Sequence, residues 1–322
     1  MTAKTTSKLS IAIPTCNRAT FIEHFLILHR PLLEKHGINI LISDNASTDN
    51  TQEVVKNFKK TYSNLEYRQN EENLGADRNI ELALKMSTTE YTWLLGDTYC
   101  FDEKLLNYIL SAIESGFDHI LLNVGNEVKK IKSQIYTDKN KLLDDLFWLT
   151  TCLSVHVYRK NTINNADFKR YRNSNFLQTG ILFDQLDKEQ LKVSWTAENS
   201  VGRVADNKTM KKTTWDSKFF EIWIEARANF VLSLPPSYNL SSKLKGARSV
   251  SAEHETLSIK QIFAFRANST LTPDIIKKHS NSLRLCCSRR NYLALLTCAR
   301  LPTFIFSLVR SLHRVKLRLR KQ

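Results

Sequence analysis

Short apolar runs alternate with stretches of helical spacing through the first 124 residues of the chain. The runs are too short for helices and are bounded by turn residues, so each indicates a buried strand. Between two of them the spacing of Phe21, Phe25 and Leu28 predicts a helix over residues 19–36. Strands are predicted at residues 9–13, 38–42, 65–68, 91–95 and 119–124. This alternation predicts an α/β fold with a mostly parallel, Rossmann-like sheet flanked by helices.

Beyond residue 124 the alternation becomes less regular. Helices are predicted at residues 141–153, 176–186 and 215–233, and a strand at residues 191–196. A pair of prolines ends the third of these helices, because proline cannot continue it. The pattern therefore divides the chain into residues 1–124, 125–235 and 236–322, the last of which we expect to be a helical C-terminal extension.

The C-terminal segment carries most of the positive charge. The chain has a net charge of +15, and residues 275–322 hold 12 Lys and Arg without an acidic residue, which leaves 35 basic and 32 acidic residues before them. Over residues 301–322 apolar positions alternate by four and three from Leu301 and Ile305, while arginines repeat on another face. A basic amphipathic helix of this kind lies on a membrane surface that carries anionic lipids, or packs on its own domain.

The distribution of basic, aromatic, cysteine and apolar residues indicates which partners and which cell compartment to expect. The body lacks a basic stripe interleaved with aromatic residues, so we do not expect nucleic-acid binding. The six cysteines form no CxxC pair, and residues 1–8 lack the apolar segment of a signal peptide. No run approaches the ~20 apolar residues of a spanning helix. We therefore expect a cytoplasmic protein with reduced thiols, peripheral on the inner face of the cytoplasmic membrane.

Polar residues follow three of the predicted strands. Residues 15–18 follow the first strand, Asp44 and Asn45 the second, and Asp97 the apolar run 91–95. Parallel strands end at a common edge of the sheet, which is where ligands bind in α/β folds, so these side chains should converge. The chain contains no GxGxxG or GxxxxGK[ST] loop, no zinc-ligand spacing and no GxSxG elbow. Dinucleotide, P-loop and serine-hydrolase chemistry are therefore not indicated.

Four sequence strings occur in the order and spacing of one known family. They are IPTCNR, ISDNASTDNT, ENLGADRN and YTWLLGD, and they fall within residues 9–124. The set resembles the N-terminal half of family 2 glycosyltransferases, which have the GT-A fold. The longer string TTEYTWLLGD is similar to bacterial enzymes that build O-antigen or capsule repeat units, including deoxysugar transferases of the abequosyl type. Residues 1–124 would then form the nucleotide-sugar half of the domain, and residues 125–235 the acceptor half.

The resemblance implies that a nucleoside-diphosphate sugar lies across the sheet edge. The residues that it assigns to this ligand are Thr15, Asn17, Arg18, Asp44, Asn45, Asn73, Gly75, Arg78 and Asp97. Asp44 would accept hydrogen bonds from the base or ribose, or would only cap the following helix. Asn45 either joins the ligand site or only shapes the turn. Arg78 would meet the diphosphate through charge-assisted hydrogen bonds, or is an ordinary exposed helix arginine.

The family usually has two or three acidic residues after the central strand, where they hold a divalent metal. In this chain the corresponding residues are Asp97, Thr98 and Tyr99, with one carboxylate. Mg²⁺ needs only one or two protein carboxylates when phosphate is also a ligand, so we predict Mg²⁺ or Mn²⁺ at Asp97. The alternative is that Arg78 and nearby basic groups neutralise the diphosphate without metal. Asp102 would assist the metal or, more simply, cap a helix.

An inverting enzyme of this family needs a general base in its second half. We predict Asp184 for this role, within the string FLQTGILFDQLDKE, which also contains Asp187 and Glu189. Each of these carboxylates is equally consistent with a surface position on an amphipathic helix. His156 is a further candidate, although a histidine between two valines is more often structural.

The sequence thus predicts an inverting glycosyltransferase that moves a sugar from a nucleoside-diphosphate sugar to a polyprenyl-diphosphate-linked saccharide, in O-antigen or capsule biosynthesis. Two alternatives remain at this point. A non-catalytic scaffold of the same fold would explain the reduced acidic motif at Asp97. A sugar nucleotidyltransferase of related topology would release pyrophosphate instead of a nucleoside diphosphate.

Overall fold

The structure is a computed structural model that describes residues 7–204, 218–251, 254–255 and 257–307. The chain forms two compact units. The first comprises Met1–Thr209 and Leu234–Tyr238, and the second comprises Met210–Ser233 and Asn239–Gln322. The predicted division at residue 124 falls inside the first unit, because strands on both sides of it belong to one sheet.

A nine-stranded mixed sheet forms the centre of the first unit. Its strands are β1 (Leu9–Thr15), β2 (Asn39–Asp44), β3 (Leu65–Gln69), β4 (Tyr91–Leu94), β5 (Tyr99–Cys100), β6 (His119–Val124), β7 (Gln134–Tyr136), β8 (His156–Arg159) and β9 (Val193–Arg203). The order across the sheet is β3-β2-β1-β4-β8-β6-β9-β5, and β7 pairs with β9. The first four strands in this order, β3, β2, β1 and β4, are parallel to one another, which confirms the predicted fold class.

Strand β8 lies between β4 and β6 and is antiparallel to both. The sequence pattern did not predict this strand. Because β8 is antiparallel to each neighbour, β4 and β6 run in the same direction and end at the same edge of the sheet. The segments that follow these two strands, which begin at Leu95 and Gly125, therefore lie on the side where β1 and β2 also end.

Helices flank the sheet on the first unit. They are α1 (Ala19–His36), α2 (Thr51–Lys59), α3 (Ala76–Lys85), α4 (Glu103–Glu114), α5 (Lys139–Thr150), α6 (Lys160–Asn164), α7 (Phe168–Tyr171) and α8 (Leu177–Lys188). Helix α1 ends at Gly37, whose φ of 58° is the left-handed conformation that terminates helices. Asp102 caps α4 by accepting a hydrogen bond from the Leu105 N–H at 2.8 Å, the simpler of its two predicted roles.

The core of the first unit explains why the apolar runs form strands. Ile11 of β1 and Trp93 of β4 have no exposed surface, and Phe25 of α1 packs in the same cluster. Burial of one such side chain stabilises the fold by about 1.5–3 kcal/mol. The cluster holds β1 and β4 side by side, and this fixes the position of the residues that follow them.

The described residues of the second unit are mostly helical and include a two-stranded sheet of Ser249–Ser251 and His254–Glu255, strands β10 and β11. A π-helical segment, Phe220–Ala226, continues directly into α9. The α-helices are α9 (Arg227–Leu232), α10 (Leu240–Arg248), α11 (Ile259–Ala267), α12 (Pro273–Lys278), α13 (Ser280–Cys286) and α14 (Arg289–Arg300). In the part of the chain that the structure describes, no helix is long and apolar enough to cross a membrane. Most of the predicted basic helix, residues 308–322, lies outside the described residues.

Candidate active site

Thr15 and Asp97 meet at the sheet edge where β1 and β4 end. Thr15 is the last residue of β1, and Asp97 follows β4, which pairs with β1 in parallel. The Thr15 hydroxyl donates a hydrogen bond to Asp97 Oδ2 at 2.9 Å. Sequence analysis predicted that these two residues would share a site, and the structure brings them into direct contact.

Burial raises the pKa of Asp97, and the Thr15 hydroxyl and the positive charge of Arg18 offset only part of that rise. No Lys, Arg or His of the described segments forms an ion pair with this carboxylate. The residues that the structure describes also contain no group of three or more side chains that would by themselves hold a metal ion. A partly desolvated carboxylate without a cationic partner fits a divalent ion whose other ligands are phosphate oxygens and water.

Asn17 and Arg18 follow Thr15 in a loop between β1 and α1. The Asn17 backbone is left-handed, with a φ of 54°, and its side-chain oxygen accepts a hydrogen bond from the Thr48 N–H at 2.7 Å. Asn17 therefore joins the loop after β1 to the loop after β2. The Arg18 guanidinium lies 5.0 Å from the centre of the Phe21 ring. Arg18 follows the end of β1 and therefore lies at the same edge, where its positive charge lowers the pKa of Asp97 in part.

Asp44, the last residue of β2, is fully buried. Its Oδ1 accepts hydrogen bonds from the Ser47 hydroxyl and from the Ser47 N–H, the latter at 2.9 Å. Its Oδ2 accepts one from the Tyr67 hydroxyl at 2.6 Å, and burial together with this carboxylate raises the Tyr67 pKa. In this state Asp44 holds its own loop in place, so a base or ribose would have to displace Ser47 or Tyr67 to reach it.

Asn45 and Asn73 shape the turn that leads into α3. The Asn45 side chain donates to Asn73 Oδ1 at 2.8 Å and accepts from the Leu74 N–H at 2.9 Å. Gly75, which follows Leu74, has a φ of 81°. A residue with a side chain adopts such a positive φ only under strain. These contacts support the alternative in which Asn45 shapes the turn, and they place Asn73 and Gly75 beside the ends of β1 and β2.

Asn79 on α3 is a further residue at this sheet edge, which the sequence pattern did not indicate. Its side chain is almost fully buried and donates to the backbone oxygens of Ser43 at 2.9 Å and Thr15 at 3.3 Å. It also accepts from the Ser43 hydroxyl at 2.7 Å. Asn79 thus joins α3 to the ends of β1 and β2. Its place at the end of the string ENLGADRN is the signal that could have identified it.

Arg78, predicted to meet a diphosphate, lies 2.6 Å from Glu81 Oε1. The Glu81 side chain is fully buried and also binds Lys85 and, through both carboxylate oxygens, Arg172. About a third of the Arg78 side chain is exposed, and with Arg68 it lines a depression beside β3. The structure therefore gives Arg78 a protein partner, and its role toward a diphosphate stays a prediction.

Asp184, the predicted general base, has two cationic partners in the structure, and its role in catalysis stays a prediction that this environment does not favour. Asp184 lies on α8 with 1% of its surface exposed. Its carboxylate is 2.6 Å from Lys188 Nζ and 3.4 Å from an Arg170 nitrogen. A carboxylate that is enclosed and neutralised by two cations has no free face toward an acceptor hydroxyl. The helical spacing was correct, but it did not show which face of α8 is buried.

Two other candidate bases, Asp187 and His156, are also held in the protein, whereas Glu189 is exposed just after α8. Asp187 is 2.6 Å from Lys139 Nζ and accepts a hydrogen bond from Ser237. His156 is fully buried in β8, where one ring nitrogen contacts His119 at 3.1 Å and the other contacts a backbone carbonyl at 2.7 Å. Burial lowers the pKa of His156 to about 4. This histidine is structural, as the sequence context favoured.

Ser154, which lies just before β8, contacts the turn at residues 96–99 that carries Asp97. Its hydroxyl accepts a hydrogen bond from the Gly96 N–H at 3.0 Å, and its carbonyl accepts one from the Trp93 indole at 2.9 Å. The Tyr99 hydroxyl lies 3.4 Å from the Cys152 sulfur in the same region. The second half of the unit therefore contributes directly to the position of Asp97.

This arrangement is the GT-A fold of glycosyltransferases, and solved structures share it over most of the chain. A mannosyltransferase of Pyrobaculum calidifontis, solved with GDP-Man and Mn²⁺, has a TM-score of 0.53 and 12% identity, with coverage of 92% of this chain and 88% of that chain. Residues 1–349 of S. aureus TarS, solved with UDP, have a TM-score of 0.56 and 17% identity, with coverage of 90% and 87%.

Residues 10–184 match the model of glycosyl transferase family 2, and the chain belongs to this family. The predicted family is therefore confirmed. An abequosyltransferase of Salmonella typhimurium is 30% identical over 161 residues, which are 46% of this chain and 48% of that protein. A Campylobacter jejuni GalNAc(5)-diNAcBac-PP-undecaprenol β-1,3-glucosyltransferase is 29% identical over 121 residues, 36% of this chain and 38% of that protein. The chain thus matches about half or less of the length of these relatives.

Proposed function

We propose that this protein is an inverting glycosyltransferase that transfers a sugar from a nucleoside-diphosphate donor to a polyprenyl-diphosphate-linked saccharide, in the synthesis of a bacterial surface polysaccharide. The observation that carries the proposal is the contact between Thr15 and Asp97 at the sheet edge. This contact gives the family fold a single, fixed carboxylate at the place where a nucleotide diphosphate would lie.

The chemistry requires that the departing diphosphate be neutralised as its negative charge increases. A divalent ion would supply that positive charge when bound, with Asp97 as its protein ligand. Thr15 orients the Asp97 carboxylate through its hydroxyl, and Ser154 fixes the backbone of Gly96 immediately before it. Mn²⁺ in the Pyrobaculum structure supports a divalent metal in general.

The donor and acceptor classes rest on the relatives. The solved neighbours hold UDP and GDP-Man, so a nucleoside-diphosphate sugar is the expected donor. The Campylobacter relative is named for an undecaprenol-linked acceptor, and the Salmonella relative for transfer of abequose, a deoxysugar. We propose a lipid-linked acceptor for this chain on that basis.

A lipid-linked acceptor places the enzyme at a membrane, and the second unit has a surface that suits this location. Leu293, Phe304 and Ile305 are exposed by 62%, 68% and 39%. Arg300 lies in the same part of the chain, and residues 275–322 contain no acidic residue. Exposed apolar side chains among basic residues favour the surface of an anionic membrane. We therefore propose a peripheral position on the cytoplasmic membrane.

A thermal-shift screen of nucleoside diphosphates, with and without Mn²⁺, tests the donor site. A ligand that binds the native state raises the melting temperature, so one nucleotide should give a shift that increases with Mn²⁺. The matching sugar nucleotide should then label a lipid-linked acceptor and release a nucleoside diphosphate. Release of pyrophosphate would establish a nucleotidyltransferase instead. Nucleotide binding without transfer to any lipid-linked saccharide in extracts of the source cells would favour the scaffold alternative.

A further inference from the structure

Glu127 is a further carboxylate at the sheet edge where Asp97 lies. Strand β6 ends at Val124, and β6 runs in the same direction as β4 because β8 is antiparallel to both. The turn after β6 therefore lies on the side of the sheet where the chain leaves β4 toward Asp97. Glu127 is exposed on this turn, whereas Asp184 is buried.

The turn that presents Glu127 is held in one conformation. Gly125 and Asn126 are both left-handed, with φ of 55° and 53°, a conformation that Gly adopts freely and Asn tolerates better than most residues. Their N–H groups donate to the Val201 carbonyl and the Ser200 hydroxyl of β9, each at 2.9 Å. The turn is thus bonded to the sheet on the side that precedes Glu127.

A buried asparagine fixes the chain on the other side of Glu127. The side chain of Asn123 accepts from the Val128 N–H at 3.2 Å and donates to the Val128 carbonyl at 3.0 Å. Asn123 has no exposed surface, and Val128 is 4% exposed. The backbone on both sides of Glu127 is thus fixed, as the support of a catalytic group requires.

Glu127 is also connected, through β9 and β5, to the turn at residues 96–99 that carries Asp97. Its Oε1 lies 3.1 Å from Arg203 Nη2, with both side chains about half exposed. Arg203 pairs with Tyr99 in the ladder between β9 and β5, and Tyr99 is two residues beyond Asp97. Within the described ranges, Arg203 is the protein group that contacts the Glu127 carboxylate. In the part of the chain that the structure describes, the second oxygen, Oε2, has no hydrogen-bond or ion-pair partner.

We propose that Glu127 is the general base of the transfer reaction, an inference that rests on the proposed function. The acceptor hydroxyl gives its proton to Glu127 Oε2 while its oxygen forms the new bond to the anomeric carbon of the donor sugar. The bond from that carbon to the diphosphate oxygen breaks, and the electron pair leaves with the nucleoside diphosphate. Arg203 orients the carboxylate through Oε1, so that Oε2 faces the acceptor.

The test compares Glu127→Gln with Glu127→Asp and Glu198→Gln in the full chain. Positioned bases contribute about 10²–10⁴-fold, so Glu127→Gln should lower kcat by at least about 100-fold. Nucleotide affinity in the thermal-shift screen should stay within about 2-fold of wild type, because this residue does not bind the donor. Glu127→Asp should retain part of the rate. Glu198 is another exposed carboxylate, on β9, and its replacement should leave kcat unchanged.

A second variant, Glu127→Ala, tests the chemistry independently of the fold. Added formate should restore part of its kcat, since a small carboxylate can take the proton, and should not accelerate wild type. The proposal is overturned if Glu127→Gln keeps kcat within about 3-fold of wild type, or if formate fails to restore Glu127→Ala while its melting temperature is unchanged. An inactive wild-type protein would instead overturn the proposed function, and the assignment of Glu127 with it.

Discussion

Thr15 and Asp97 are 82 positions apart in the chain, and the hydroxyl of one donates to the carboxylate of the other at 2.9 Å. The contact arises because β1 and β4 are neighbours in the sheet and end at the same edge. It leaves the second oxygen of Asp97 free of this hydrogen bond. Two predictions depend directly on this pair.

Replacement of Asp97 by Asn should remove the metal dependence of nucleotide binding. The change keeps the shape of the side chain but removes its charge, so the rate of transfer should fall by at least about 100-fold. The Mn²⁺-dependent part of the thermal shift should also disappear. Asp102→Asn is the matched control, because asparagine caps a helix as well as aspartate does. An unchanged rate for Asp97→Asn would show that the site assignment is wrong.

Thr15→Val should act through Asp97. Loss of a hydrogen bond to a charged group costs about 1.5 kcal/mol, so kcat/KM should fall about 10-fold. Thr15→Ser keeps the hydroxyl and should retain most of the activity. In the Asp97→Asn background the valine substitution should add little, since coupled residues are not additive. Equal losses in both backgrounds would mean that Thr15 acts separately from Asp97.

Stability should fall as the pH decreases from about 6.5 to 4, because burial lowers the pKa values of three histidines, His29, His119 and His156, which are therefore neutral in the native state. Burial lowers the pKa values of His29 and His156 to about 4. Below pH 6.5 the unfolded state binds more protons, so the free energy of unfolding decreases until both states are protonated. Above pH 6.5 this contribution is fully present.

The clearest test of this pH effect is His29. Its Nδ1 donates to the Phe25 carbonyl at 2.8 Å, and its Nε2 accepts from the Phe101 N–H at 3.1 Å, so protonation of Nε2 breaks the second bond. Urea unfolding of His29→Gln at pH 7 and pH 5 should show a smaller difference than wild type. His24→Gln, an exposed position on the same helix, should keep most of the wild-type difference, because burial rather than His24 is the main cause of the lowered His29 pKa. The same pH dependence in all three proteins would contradict this origin.

Glu81→Gln should destabilise the first unit by about 2–3 kcal/mol at neutral pH. Burial alone would raise the pKa of Glu81, but hydrogen bonds from Arg172, Lys85 and Arg78 outweigh it and lower the pKa to about 2. This stabilisation is present above about pH 4.5 and is lost as the pH falls toward 2. The stability difference between wild type and variant should therefore narrow over that range.

The comparison for Glu81 is Glu114→Gln, which removes an exposed pair with Lys8. Exposed ion pairs contribute about 0–1 kcal/mol, so this control should be close to wild type. Denaturant unfolding of both variants measures the contrast. Equal destabilisation by the two substitutions would show that the buried cluster around Glu81 has no special role.

Phe304→Asp should weaken binding to anionic vesicles about 10-fold, because burial of one aromatic side chain is worth about 1.5–3 kcal/mol. Phe304→Leu, which keeps an apolar side chain, should bind nearly as wild type does. Co-sedimentation with vesicles of phosphatidylglycerol and of phosphatidylcholine provides the measurement. Two results would argue against the proposed membrane surface. One is that wild type binds both lipids to the same extent, and the other is that Phe304→Asp binds anionic vesicles as strongly as wild type. Deletion of residues 301–322 should release the protein from membranes.

The local pattern of the chain was sufficient for most of the scaffold of the first unit. Apolar runs at residues 9–13, 38–42 and 91–95 predicted β1, β2 and β4, because burial of alternate or continuous apolar residues depends on neighbours in sequence. The polar residues after those strands were also visible. Their convergence followed from the rule that parallel strands end together, and the contact of Thr15 with Asp97 agrees with it.

Other features depended on contacts between distant segments. Strand β8 is only four residues long, and its place between β4 and β6 follows from pairing that no local period reveals. Asp184 had helical spacing like its neighbours, and its ion pair with Lys188 lies within α8. Arg170, however, reaches it only because α7 and α8 pack together.

The sequence by itself determined the family, the α/β class and the carboxylate at the central strand, since each depends on residues that are close in the chain. Only the tertiary structure decided which carboxylates are buried and paired and which face the sheet edge. Asp44, Asp184 and Glu127 have similar intrinsic chemistry. Their different environments arise from packing between elements, because desolvation and ion pairing are properties of the folded chain.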